Sequence, residues 1–141
     1  MERRASAVWL GGLKDGQGTI TTESMVLSNT PYSFGTRFEA SPGTNPEELL
    51  GAAHASCFSM ALSLQLGHVH IHPERIETKA TITFEKLESG FTITRSHLDV
   101  SVRAPGADPL KFEAAAEKAK TGCPLSKVLR ADISMNARLE S

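Results

Sequence analysis

Residues 49–66 constrain this chain more than any other segment. Almost every one is apolar or small, and none is Asp, Glu, Lys or Arg. The lead-in Thr44-Asn45-Pro46-Glu47-Glu48 is a strong helix start. Asn45 suits the cap, Pro46 the first helical position, and Glu48 the place a capping box needs. Gly67 is a natural stop. A helix apolar nearly all round is a buried central helix. The whole chain has 141 residues, which points to one domain spanning 1–141. A domain of this size buries roughly 70% of the surface its unfolded chain exposes. Six or so short strands are few to cover such a helix. Part of it is expected to meet a second copy of the chain, giving a homodimer with this helix near the interface.

The flanking segments read mostly as strands. The glycine-rich stretch 11–18 looks like a turn between two of them. It lacks the spacing and terminal Lys-Ser/Thr of a phosphate loop. Tyr32, Phe34, Phe38 and Ala40 share one parity and predict a strand, with Ser33, Gly35, Arg37 and Glu39 on its other face. Ile76, Thr78, Ala80, Ile82 and Phe84 alternate with polar residues. Phe91 and Ile93, then Leu98, Val100 and Val102, form a second run whose parity flips, predicting a bulge near 95–97. Glu88-Ser89-Gly90 joins the two as a hairpin. An Ala- and Lys-rich helix is expected over 108–120, with Asp108 as cap and Pro109 at its first position. Gly122 stops it, and Pro124 restarts a short helix to about Arg130. Ile133, Met135, Ala137 and Leu139 make a last strand. The order defines an α+β fold: a buried central helix flanked by mainly antiparallel sheets.

Composition narrows the function classes. A net charge of -1 gives no electrostatic footprint for nucleic acid. Two cysteines in a chain of 141 residues are not a secreted disulfide framework. They fit a reducing cytosol, with thiols that are free or cycle. The opening residues carry arginines but no long apolar run, unlike a signal peptide. No stretch is expected to have the length and apolarity of a membrane-crossing helix. The expectation is a cytoplasmic protein with no membrane partner.

The two cysteines sit in contrasting surroundings. Cys57 lies inside the apolar helix, where a free cysteine is commonly inert core. Its small neighbours Ala53, Ala55 and Ser56 allow another element to approach. Cys123 lies in Thr-Gly-Cys-Pro-Leu-Ser (121–126) at a helix junction. A thiolate gains there from the helix dipole; the alternative is a small capping residue. Sequence separation does not say whether the two thiols meet. His54 lies three before Cys57 and shares its helix face. It reads as an activating base for the thiol or as a hydrogen-bonded core histidine. His68, His70 and His72 would point one way on a strand and form a metal site, although Pro73 suggests a loop. Arg37 is the best cation candidate; its alternative is a solvated partner for Glu39. Glu47 and Glu48 also fit the general preference for carboxylates at a helix N-terminus.

The segment Gly-Thr-Asn-Pro-Glu-Glu-Leu-Leu-Gly-Ala-Ala-His-Ala-Ser-Cys-Phe-Ser-Met-Ala-Leu (43–62) resembles the OsmC/Ohr family of hydroperoxide reductases. Pro31-Tyr32 and Thr36-Arg37-Phe38-Glu39 upstream support it. Downstream, Lys-Ala-Lys-Thr-Gly-Cys-Pro-Leu-Ser (118–126) is similar to the family's second-cysteine motif. The resemblance spans nearly the whole chain. It is to the OsmC branch, because the first glycine-rich turn, Gly-Gly-Leu-Lys-Asp (11–15), lacks the arginine that the Ohr branch carries there.

The resemblance implies a set of roles. Cys57 is the peroxidatic cysteine, and Cys123 the resolving cysteine that closes a disulfide with it. Arg37 stabilises the thiolate and orients the peroxide, and Glu47 pairs with Arg37. It implies an intertwined α+β homodimer, with sites at the interface built from both subunits. It implies no metal or organic cofactor. Organic hydroperoxides are the implied substrates, with hydrogen peroxide reduced less well. The disulfide is reduced by a dithiol, with lipoylated proteins the implied source in the Ohr branch. Such chemistry needs a thiolate, a positive charge and a second thiol in reach. Glu47 and Cys57 are ten positions apart, about 15 Å along a straight helix. The expectation is a break near Gly51, a glutamate supplied by the other subunit, or one acting only through Arg37. A non-catalytic redox sensor or small-ligand binding protein on the same fold is the competing reading, and a histidine metal site the third.

Overall fold

The computed structural model describes residues 1–140. The chain forms two compact units, Met1–Leu49 and Leu50–Ser141.

In the first unit, strands β1 (Ala5–Leu10), β2 (Gln17–Thr22) and β3 (Thr30–Tyr32) make an antiparallel sheet in that order. The turn between β1 and β2 falls in the glycine-rich stretch, as expected. Gly18 faces the rings of Trp9 and Tyr32, whose centroids lie 5.4 Å apart. A Cβ at position 18 would collide with both rings.

The strand expected over 32–40 is not found. β3 stops at Tyr32, and helix α1 spans Phe34–Phe38. The cause is a reciprocal cap. Ser33 Oγ accepts from the Thr36 amide, and the Ser33 amide donates to Thr36 Oγ1 at 2.9 Å. Phe34 and Phe38, read by parity as one strand face, are also i and i+4. Their rings meet at 4.8 Å on the helix. Arg37 therefore sits in the last turn of a short helix, not on a strand.

Helix α2 spans Pro46–His68 without interruption. Its start follows the sequence: the Asn45 side chain accepts from the Glu48 amide at 2.8 Å. Asn45 Nδ2 also donates to the Thr36 carbonyl, which ties the end of α1 to the start of α2. Gly67 does not stop the helix. His70, at φ 60°, supplies the left-handed turn, and the Ile71 amide bonds back to the Leu66 carbonyl. The break expected near Gly51 is also absent: Gly51 is buried within the continuous helix, against Ile82 and the Ala80 carbonyl. A Cβ there would lie 3.4 Å from Ile82 Cγ1 and 3.5 Å from the Ala80 carbonyl.

In the second unit, β4 (Arg75–Leu87) and β5 (Gly90–Arg103) form a long antiparallel hairpin. Gly90, at φ 113°, turns the chain. The register shifts so that Thr83 pairs Arg95 and Phe84 pairs Ile93, leaving Thr94 as the extra residue. The bulge thus lies one residue before the expected window. Helix α3 (Pro109–Gly122) is capped by Asp108, which accepts from the Leu110 and Lys111 amides. Helix α4 (Pro124–Val128) follows, then β6 (Asp132–Glu140). β6 runs parallel to β5, with α3 and α4 as the crossover a parallel pair requires. The sheet order is β4-β5-β6.

The core of this unit gathers Phe58, Leu62 and Leu66 of α2, Leu98, Val100 and Val102 of β5, and Phe112 with the alanine face of α3. Each fully buried Leu or Phe contributes about 1.5–3 kcal/mol by leaving water. The buried stripe of α2 steps through Gly51, His54, Phe58, Leu62 and Leu66. The helix is therefore covered on one side in the single chain, not all round. Ala52, Ser56, Met60 and Leu64 are exposed. α2 is also long and apolar enough to cross a membrane by length and composition, contrary to the sequence expectation. A core helix passes the same test, and α2 packs its stripe into this core.

Candidate active site

The 66 positions between the two cysteines are closed by the fold. Cys123 Sγ donates to Cys57 Sγ at 3.0 Å, and both thiols are free. Cys57 is half-buried on α2. Cys123 is fully buried where α3 ends and α4 begins. Its amide bonds to the Ala119 carbonyl, and its own carbonyl accepts from the Lys127 amide. The Cys123 side chain makes no capping bond. It is turned to the other sulfur and does not act as a turn cap.

Burial pushes the Cys57 thiol above its ordinary value. The neighbouring Cys123 pushes the same way, because two sulfurs at 3.0 Å do not ionise together. The backbone at Leu125 acts against both. A nucleophilic cysteine needs a thiolate, so this one requires a positive group to reverse the shift.

One turn before Cys57, His54 is completely buried. Nδ1 lies 2.6 Å from Ser96 Oγ on β5, and Nε2 lies 2.8 Å from Ser126 Oγ on α4. Both ring nitrogens are thus engaged, and neither contacts a cysteine in this bonding pattern. His54 is a bonded core histidine. Burial lowers its pKa from 6.5. The unfolded chain therefore takes up this proton at higher pH than the folded chain. The stability that neutral His54 carries is present above pH 6.5 and is lost as pH falls through and below that value. We expect the melting temperature of the native protein to drop below pH 6.5 more steeply than that of His54→Asn. Parallel pH profiles would refute a neutral buried imidazole.

In the first unit, Arg37 Nε and Nη2 both donate to Glu47 Oε1, at 3.1 and 2.9 Å. The ion pair is asymmetric: Glu47 is nearly buried and Arg37 more open. The guanidinium also lies 5.4 Å from the Phe38 ring centroid, a cation–π distance. Glu47 is thus an ion-pair partner of Arg37, where the sequence had offered Glu39 as a solvated alternative. Arg37 lines a cavity of about 220 Å³ with Trp9, Leu13, Tyr32, Phe34 and Phe38. Sequence reasoning missed this aromatic wall. The signal was the aromatic content of 9–38, spread over three elements.

The histidines considered as metal ligands do not share a strand. His68 ends α2, His70 occupies the left-handed turn, and His72 follows in the loop. No group of three His, Cys, Asp or Glu side chains suited to a metal gathers among the described residues.

An α+β fold with two reduced thiols in contact, one on a central helix and one at a helix junction, defines a dithiol redox protein. Comparison with known proteins identifies the family. The family described as OsmC-like protein matches residues 38–138, and the chain belongs to it. It is 49% identical over 141 residues to Peroxiredoxin OsmC of Escherichia coli (strain K12), covering 100% of this chain and 99% of that protein. It is 26% identical over 137 residues to the Organic hydroperoxide resistance protein of Xanthomonas axonopodis pv. citri (strain 306), covering 96% and 92%. Among solved structures, OhrB of Bacillus subtilis superposes with a TM-score of 0.68 at 27% identity, covering 97% and 98% of the two chains. The higher identity lies with the OsmC relative, in line with the arginine-free first turn.

Proposed function

We propose that this chain is a thiol-dependent peroxidase. It reduces organic hydroperoxides, and hydrogen peroxide less well, through a Cys57 sulfenic acid and a Cys57–Cys123 disulfide. The observation that carries this reading is the 3.0 Å contact between two free thiols. Two relatives named for peroxiredoxin and organic hydroperoxide resistance activity support it.

The cycle balances with no metal or organic cofactor. The Cys57 thiolate attacks the peroxide oxygen, the O–O bond breaks, and the alkoxide leaves as an alcohol after protonation. Cys57 becomes a sulfenic acid. The Cys123 thiol then attacks that sulfur, and its proton leaves with the hydroxyl as water. An external dithiol, with a lipoylated protein as our candidate, reduces the disulfide by exchange. Free thiols of this kind fit a reducing cytoplasm.

Arg37 supplies the positive charge that lowers the Cys57 pKa and orients the peroxide, and Glu47 holds Arg37. The aromatic wall beside Arg37 favours an organic over an inorganic peroxide. Ten positions of continuous helix separate Glu47 from Cys57, a rise of about 15 Å. We therefore assign Arg37 and Glu47 to the site of a partner subunit. The chain works as an intertwined homodimer, residues 1–141 acting as one domain. The exposed Met60 and Leu64 of α2 would be covered in that dimer.

Two experiments test this. With excess dithiol, the protein should consume cumene hydroperoxide over many turnovers, faster than hydrogen peroxide. One equivalent consumed, then arrest with every dithiol supplied, would favour a redox sensor. Arg37→Met should lower the rate about 100-fold by removing a preorganised charge. Inactive Cys57→Ser and impaired Arg37→Met chains, unfolded and refolded together, should regain activity. In the mixed dimer one site combines an intact Cys57 with an intact Arg37. No recovery in verified mixed dimers would place Arg37 in the same subunit as its cysteine.

A further inference from the structure

The buried His54 is a residue that the peroxidase cycle, as written, leaves unused. We propose that His54, acting through Ser126, is the positioning residue that holds the Cys123 thiol against Cys57 for disulfide closure. This rests on the thiol-peroxidase reading.

Two contacts join the same pair of helices. His54 and Cys57 are i and i+3 on α2. Cys123 and Ser126 are i and i+3 at the start of α4. The sulfurs meet at 3.0 Å and His54 Nε2 meets Ser126 Oγ at 2.8 Å, so the contacts are paired rungs. On its other side the imidazole is anchored by Ser96 Oγ at 2.6 Å, from a residue with no exposed surface. A neutral imidazole has one donor and one acceptor, and the two hydroxyls satisfy both. The chain β5–α2–α4 is thus tied through one rigid ring.

α4 needs such a tie. It has five residues, none of them buried, and the Cys123 side chain at its cap makes no capping bond, being turned to Cys57. Leu125 packs partly against the core, which leaves little apolar area to fix the helix. Without the Ser126 rung, α4 keeps its fold but loses its register against α2. Disulfide closure is sensitive to this register. The sulfurs must move from 3.0 Å to about 2.05 Å, a short approach from a docked geometry. A misplacement of about 1 Å costs up to about 100-fold in rate. Formation of the sulfenic acid takes place at the Cys57 sulfur, and α4 touches it only through the Leu125 backbone and the neighbouring Cys123, whose effects on the Cys57 thiol oppose each other, so it is far less sensitive to where α4 lies.

The experiment separates these two steps. Reduced protein is mixed with one equivalent of cumene hydroperoxide and quenched at intervals. Sulfenic acid is counted by dimedone adduct and disulfide by intact mass. Ser126→Ala should form sulfenic acid within about two-fold of the native rate and close the disulfide about 10- to 100-fold more slowly. Ser126→Thr, which keeps the hydroxyl, should restore closure. His54→Asn should behave as Ser126→Ala, and decides the matter should Ser126→Ala fail to fold. Native closure rates in the variants would overturn the proposal. So would an equal loss in both steps, which marks a general packing role. If the native protein itself formed neither sulfenic acid nor disulfide, the peroxidase reading would fall and this one with it.

Discussion

Replacing Cys57 with serine stops peroxide consumption. A serine hydroxyl is not ionised near neutral pH and does not form the oxygenated sulfur that carries the oxidation. We expect a loss of about 1,000-fold or more, of the order seen when an enzyme loses its nucleophile. The fold should survive, because the side chains are nearly the same size and Cys57 is only half-buried. Consumption of cumene hydroperoxide with excess dithiol measures the effect. Retained turnover in a correctly folded variant would remove Cys57 from the chemistry.

Replacing Cys123 with serine has a different signature. The first oxidation proceeds, because Cys57 remains. No disulfide closes, so the sulfenic acid persists, and excess peroxide drives it to the sulfinic acid. Steady-state turnover should fall sharply after one equivalent. The pH profile of the first step should also move. Cys123 is one of the groups that raise the Cys57 pKa. Its removal lowers that value, so the thiolate forms at lower pH and the profile shifts downward. Rapid mixing with peroxide across pH, read by dimedone trapping, checks both points. Full native cycling in this variant would show that Cys123 is not the resolving thiol.

Much of the fold was legible where local chemistry acts alone. Asn45-Pro46 and Asp108-Pro109 mark the starts of α2 and α3, because a cap followed by proline has few other uses. The β4–β5 hairpin follows from alternation and a glycine turn, and its bulge was misplaced by a single residue. The errors arise where two periodicities coincide or where distant parts decide. Phe34 and Phe38 fit both a strand face and a helix turn, and the Ser33–Thr36 cap chose the helix. The left-handed turn that follows α2 falls at His70, three positions beyond Gly67. The parallel pairing of β5 and β6 depends on the crossover and leaves no mark on either strand.

The candidate site divides in the same way. Composition left Cys57 undecided between core and catalysis. The family motif at 43–62 supplied the roles, and the fold supplied the 3.0 Å contact between residues far apart in sequence. Glu47 was named from that motif and Arg37 from the segment 36–39 upstream of it, and their ion pair is present. The partners of His54 were not legible, because Ser96 and Ser126 lie 42 and 72 positions away. Incomplete cover of α2 in the single chain fits the expectation that few strands surround it, but which face stays open was not legible in so apolar a sequence.

The most direct test of the account is the intact mass of the reduced native protein after one equivalent of cumene hydroperoxide, followed by peptide mapping. The account predicts loss of two hydrogens and a single Cys57–Cys123 cross-link. An unchanged mass with peroxide remaining, or stable oxygen addition at Cys57 with Cys123 still a thiol, would contradict it.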